Sequence, residues 1–255
     1  TASTQKGVDF TFSSVELTMQ IDDFAKRYLE PAAAVLAANI EADALNMVKD
    51  VYQGVNNIGS ALTFNKLMTG RKVLNDALAP MDGRTALLNT QDNVDLVDAL
   101  KGLFQDSGAV KEQYREGSMG RTAGFDFYEN TLLASQTTGT DASNCTISGA
   151  TQTGASITIA NGSSKTFKQG DIVTFAGCNR VHPETKTDTG VLQQFVVTAD
   201  IAAGGTTMTI SPAIVTSGGK QNVAASPTNG GTITKIGSAS GVYKPSLLFH
   251  KDAFT

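Results

Sequence analysis

Tryptophan is absent from this chain of 255 residues, and tyrosine, histidine and cysteine are scarce, at five, two and two. Each shortage closes off a class of function. Sugar-binding faces usually rest on aromatic stacking, which a chain without Trp is poorly equipped to offer. Two cysteines, Cys145 and Cys178, make no staple framework; they are either one bridge or two part-buried free thiols, and the second is the simpler expectation. His182 and His250 stand in no spaced set with Cys, Asp or Glu, so structural or solvent roles are expected for both. No apolar run approaches the roughly 20 residues of a membrane span. The first ten residues have neither the cationic start nor the apolar core of a signal peptide. The chain begins without Met, so it reads as a fragment or a processed product.

Charge is short as well. Charged residues make up 17% of the chain, and the net charge of −4 is unevenly placed. Residues 1–140 carry 12 Lys+Arg against 18 Asp+Glu, or −6, and residues 141–255 carry 8 against 6, or +2. Neither half is basic enough for a nucleic-acid surface. Chemical motifs are missing too. There is no Gly-x-Ser-x-Gly elbow, phosphate loop, dinucleotide fingerprint or zincin helix. Residues 117–124 (GSMGRTAG) are Gly-rich and include Arg121, but they lead into a strand and lack the Lys-Ser/Thr of a phosphate cradle. Asp22-Asp23 and the series Asp92, Asp95, Asp98 read as solvated positions, the series lying on the outer face of its helix. No catalytic, cofactor or metal site is expected, and no enzyme.

What is present is architectural. Residues 21–54 hold the longest convincing helix. Pro31 lies in the first turn, where a helix tolerates it, and Gly54 stops the run. Leu36, Ile40, Ala44, Met47, Val48 and Val51 recur at three- and four-residue spacing, opposite Asn39, Glu41, Asp43, Asn46, Lys49 and Asp50. From Pro31 to Gln53 this rod would be roughly 35 Å long. Leu36, Ile40, Met47 and Val51 are expected to pack under flanking strands, so that Ile40→Asp unfolds the subunit while Asp43→Ala leaves it intact. Before the rod, residues 8–19 alternate as extended chain, and Asp22 caps a short turn over 23–28.

Residues 55–135 read as helix, strand, helix, strand. Thr63 caps a helix carrying Phe64, Leu67, Arg71, Leu74 and Leu78, ended by Pro80. A strand follows at 85–89. Thr90 caps the next helix, with Val94, Val97, Leu100 and Phe104 inward. A helical turn at 109–115 and an aromatic strand at 122–133 complete the unit.

At Ser135 the texture changes. From Cys145 to Ile236 six short β runs (145–147, 156–160, 172–175, 192–198, 206–211 and 232–236) alternate with Gly and Asn-Gly turns, the pattern of a small barrel or sandwich. An apolar strand then resumes at 242–249, with Pro245 at an edge or entry position. An α+β unit interrupted by an all-β block is the signature of a domain inserted into a loop. Residues 144–240 are expected to fold alone.

Four blocks carry a resemblance. VDFTFSSVELTMQIDDFAKRYLEPAAAVLAANIEADAL resembles the passage from extended loop to spine helix in tailed-phage major capsid proteins. LFQDSGAVKEQYREGSMGRTAGFDFYENTLLASQTTGT is similar to the family's approach to its insertion. FKQGDIVTFAGCNRVHPETKTDTGVLQQFVVTAD resembles its inserted barrel, and YKPSLLFHKDAF the returning strand. The family is the coat-protein family typified by phage P-twenty-two, with the Hong Kong ninety-seven capsid fold.

The resemblance implies an α+β phage capsid fold, with a long spine helix, peripheral and axial domains, and an inserted barrel-like domain. It divides the chain into an extended-loop remnant at 1–20, spine helix of the peripheral domain at 21–58, axial α+β domain at 59–143, inserted β-barrel domain at 144–241 and return strand at 242–255. Family members have an N-terminal arm and a longer C-terminal segment, which makes this chain a core fragment. The implied function is a structural coat subunit, assembling into hexamers and pentamers of an icosahedral phage or prophage shell around double-stranded DNA. The implied partners are further copies of itself, scaffolding and portal proteins, and DNA held without sequence preference; no membrane is involved. It would reside in the virion capsid and, during assembly, in the host bacterial cytoplasm. The residues alone also allow a secreted β-rich adhesin or carbohydrate-binding module.

Overall fold

The computed structural model describes residues 5–9, 11, 25–100, 120–141 and 145–253. The chain divides into two units, Thr1–Met47 and Val48–Thr255. Most of the expected extended run at 8–19, the Asp22 cap, Phe104, the helical turn at 109–115 and the first three residues of the Gly-rich stretch lie outside the described residues.

In the first unit a π-helical turn, Ala25–Leu29, leads into helix α1, Glu30–Leu45. Pro31 sits in its opening turn as expected, where its missing N–H costs nothing. Regular α structure ends earlier than expected, at Leu45. Asn46 donates back to Ala42 and Ala44, and a 3-10 turn follows at Asn46–Asp50. Alanines at 32, 33, 34, 37, 38, 42 and 44 spread small apolar groups around the helix, so no single greasy face emerges. No residue of α1 is buried, and Val35 and Ile40 are 57% and 59% exposed. The expected packing of Ile40 and Met47 under strands is therefore corrected: within one chain both side chains stay open to solvent.

In the second unit, helix α2 (Phe64–Asp76) opens at Thr63, whose hydroxyl accepts from the Lys66 N–H. Strand β1 (Arg84–Leu88) turns alternate residues inward, and helix α3 (Thr90–Leu100) follows. The α3 cap is Asn89, not Thr90: its Oδ1 accepts from the Asp92 N–H at 2.9 Å. The inward residues of α3 are Leu96 and Leu100, while Val94, expected inside, is 58% exposed. Strands β2 (Arg121–Thr122) and β3 (Phe125–Glu129) form a hairpin, and β3 runs parallel to β1, as the helical crossover between them requires. The sheet is completed by β12 (Leu247–His250), antiparallel to β1, in the order β12-β1-β3-β2. Leu67, Ala86, Leu88, Leu96, Leu100 and Phe125 form the core beneath it.

Between β3 and β12 lies the all-β block. Its strands are β5 (Thr146–Ile147), β6 (Gly154–Ala160), β7 (Ile172–Val181), β8 (Asp188–Val197), β9 (Thr207–Ile214) and β10 (Ile233–Lys235). They form one antiparallel sheet in the order β10-β7-β8-β9-β6-β5. The ends meet: Ile147 donates to the Gly231 carbonyl and Ile233 to that of Cys145, both at 2.9 Å, which closes the sheet into a barrel. Alternation fills it. Along β6, Ile157 and Ile159 point in while Ser156 and Thr158 point out. Phe175 and Phe195 stack inside with centroids 5.1 Å apart.

Two further strands, β4 (Gln136–Thr137) and β11 (Val242–Tyr243), pair antiparallel as a stem where the chain enters and leaves the barrel. The strand expected over 242–249 is thus two strands in two sheets, split around Pro245, which cannot donate to a ladder.

Candidate functional site

The stem is where the second unit concentrates its polar side chains. Just past β4, the Gly139 peptide is held from both sides. Its N–H donates to Asp171 Oδ2 at 3.0 Å, and its carbonyl accepts from Lys235 Nζ at 2.5 Å. Asp171 opens β7 and Lys235 ends β10, so two barrel strands grip one stem residue. Only glycine fits: a Cβ there would run into the Thr166 carbonyl oxygen and the Phe167 Cα. Asp171 Oδ2 also accepts from the Lys168 N–H at 2.9 Å. Beside it Asp141 is fully buried, with Lys165 Nζ 3.8 Å away and the Cys145 thiol donating to it at 3.4 Å.

Burial sets the electrostatics of this cluster. It pushes the Asp171 carboxyl up and the Lys235 ammonium down, with the neighbouring Asp171 and Asp141 charges partly restoring Lys235. Tyr243, in the stem itself, is raised to about 12 by burial and by the Asp171 charge. Such an arrangement fixes geometry. The Cys145 thiol beside Asp141 stays protonated, because burial and the Asp141 charge raise it to about 11.

Three more polar ties bind the barrel and its base. Gln194 on β8 exchanges two hydrogen bonds with the Gly54 peptide, at 3.0 and 2.9 Å. Arg180 on β7 reaches Asp76 at the end of α2, at 3.1 Å. At the exit from the stem, Ser246 and Asn89 both donate to Asp92, at 2.5 and 2.8 Å, while Asn89 also donates to the Lys244 carbonyl. A groove of about 620 Å³ runs alongside, lined by Val51, Ile58, Leu74, Ile172 and Leu248 among others.

The residues singled out from sequence fall in separate places. Cys145 and Cys178 are both buried and both free. His182 Nδ1 accepts from the Glu184 and Thr185 N–H groups and shapes its own loop. His250 lies 3.6 Å from Asp252 at the end of β12. The expected solvated face at Asp92, Asp95 and Asp98 needs correction. Asp92 is part of the exit clasp, and Asp95 accepts the Leu62 N–H at 3.1 Å. The described part of the Gly-rich stretch forms the β2–β3 turn, with Arg121 3.9 Å from Asp126. Among the described residues no group of three or more His, Cys, Asp or Glu could hold a metal ion, and no helix is long and apolar enough to cross a membrane. Asp141, Asp171, Gln194 and Lys235 were not singled out. The bonds that tie Asp171 and Lys235 to Gly139, and Gln194 to Gly54, span 30 or more residues, so no local pattern marks them.

A fold whose polar side chains tie parts together, with an exposed helix and an appended barrel, defines a structural subunit. The profile of the P22 coat protein family (gene protein 5) matches residues 3–255. The chain belongs to that family and is a tailed-phage capsid protein, structural rather than enzymatic. Among solved structures, the CUS-3 coat protein I-domain is 32% identical, covering 37% of this chain and 96% of its own, with a TM-score of 0.28. A chain from Mycobacterium phage Che8 is 15% identical, covering 92% of this chain and 67% of its own, with a TM-score of 0.38. No curated protein matched.

Proposed function

We propose that this chain is the repeating subunit of an icosahedral phage or prophage shell, assembling through hexamers and pentamers around double-stranded DNA. The observation that carries the proposal is the family match over residues 3–255. The α1 rod supports it, since a helix with no buried residue and with Val35 and Ile40 open to solvent offers a face for neighbours to cover. On this reading residues 1–20 are the extended loop reaching a neighbour and 21–58 the spine of the peripheral domain. Residues 59–143 form the axial domain at the capsomer centre, 144–241 the inserted barrel, and 242–255 the return strand.

Assembly proceeds in the host cytoplasm with scaffolding and portal proteins and ends in the virion. Many modest, symmetry-related interfaces do the work, with no chemical step. DNA is enclosed without sequence recognition, and the −6 charge of residues 1–140 fits weak, salt-sensitive affinity. Electron microscopy of the full-length protein co-expressed with its scaffolding partner tests the proposal. Closed shells with six- and five-fold capsomers are expected; monomers or amorphous aggregate alone would overturn it.

A further inference from the structure

At the far end of the four-stranded sheet two guanidinium groups share a corner, with no carboxylate paired to either among the described residues. Arg84 opens β1 on the same face as Ala86 and Leu88, under α2, and is 2% exposed. Its Nε and Nη2 donate to the Pro80 and Ala79 carbonyls, at 2.6 and 2.7 Å, just beyond the end of α2. Those carbonyls, with the negative end of the helix, offset part of its charge. Its Nη1 is buried and has no partner among the described residues.

Arg71, on α2, is half-buried and lies over the β2–β3 turn, its Cζ 3.6 Å from where a Cβ on Gly124 would stand. The register of β1 on β3 sets Arg84 beside Phe125, the next residue after Gly124. The two cations are close enough that Arg71, after burial itself, helps make Arg84 easier to deprotonate. No described residue gives Arg71 a hydrogen bond or an ion pair. Of the acids near this corner, Asp126 lies 3.9 Å from Arg121, Asp252 lies 3.6 Å from His250, and Asp82 is exposed to solvent. Lys251 adds a third cation alongside Gly83.

A buried cation with an unpartnered N–H beside a second, half-buried cation is costly, and the planar guanidinium fork matches oxyanions. We propose that Arg84 Nη1 and the Arg71 guanidinium form a binding site for a small oxyanion of the phosphate class. At 2% exposure Arg84 is reached by an ion or a single small group, not by the backbone of a nucleic acid.

The test uses the full chain with 15N-labelled arginine, following the side-chain Nε–Hε resonances while inorganic phosphate replaces chloride at constant ionic strength. Saturable shifts of the Arg71 and Arg84 signals are expected, with at least tenfold weaker binding in Arg71→Gln. Arg71 is half-exposed and leaves the core intact, so the result does not depend on an Arg84 variant folding. Three outcomes would overturn the proposal: no saturable shift at Arg84; an unchanged response in Arg71→Gln; or a stronger response to a short DNA duplex than to phosphate.

Discussion

Between Glu30 and Leu45 no residue is buried, whereas the barrel encloses a core of sixteen, from Cys145 to Ile233. Both regions are rich in apolar side chains. The difference lies in where those side chains find partners. In the barrel the two-residue alternation of each strand sends every second side chain to one interior, and closure leaves that interior dry. On α1 the apolar groups are mostly alanine methyls distributed around a cylinder, and none of its residues is buried. The barrel carries its own core; on the proposed function, the rod is the surface that other subunits would cover.

The comparison can be broken in several ways. The largest effect is expected inside the barrel. Phe195→Ala removes a fully buried ring stacked on Phe175 and should cost about 3–5 kcal/mol by chemical denaturation. The same variant should expose Cys145 and Cys178, which burial holds at about 11 and about 12, to thiol reagents that leave the wild type unmodified at pH 8. Rapid labelling of the intact wild type would mean that the barrel opens easily.

Next comes the stem. Asp171→Asn disturbs the acceptor shared by the Gly139 and Lys168 N–H groups, at a cost of about 1–2 kcal/mol at pH 7. Burial raises the Asp171 carboxyl above 3.8, so the folded state holds this proton more tightly than the unfolded chain. That contribution is fully present below 3.8 and is lost as pH rises through the folded value. The stability gap between wild type and Asp171→Asn should therefore widen from pH 7 to pH 4, and a gap that narrows would reverse the assignment. Gln194→Ala removes both bonds to Gly54 and should cost about 1 kcal/mol.

The smallest effect on the isolated chain is expected at Ile40. At 59% exposure Ile40→Asp should change monomer stability by no more than about 0.5 kcal/mol, yet it should abolish closed shells in electron microscopy. Unfolding of the monomer would show that the rod is covered after all. Separately, residues 144–240 expressed alone should give the dispersed amide spectrum of a folded barrel, and a collapsed spectrum would show that the stem grip is needed to form it.

Strands were the most legible part of the sequence. The runs at 156–160 and 206–211 announce themselves because alternation is local, and Asn-Gly or Gly-Gly pairs bound them. The return of β12 to the first sheet was legible from the order of elements. Less so was the rod. Three- and four-residue spacing picked out Leu36, Ile40 and Met47 but disregarded the alanines between them, which dilute any stripe. The Asn89 cap escaped notice because Thr90 is an equally good capping residue by type, and only the position of Ser246 and Lys244 favours its neighbour. The stem cluster was illegible in principle: Gly139, Asp171 and Lys235 look like an ordinary glycine, a turn acid and a strand-end lysine until the barrel closes and brings them together.

The stem also has a mechanical meaning. β4 and β11 leave the barrel side by side, and their ladder bonds lie across the line joining barrel to base. A straight pull on the barrel is therefore divided between two covalent strands and leaves those bonds unloaded. Torque is different: it tilts one strand against the other, and the Gly139 grip is the first thing it would strain. A shell wall built of such subunits would tolerate stretching better than twisting.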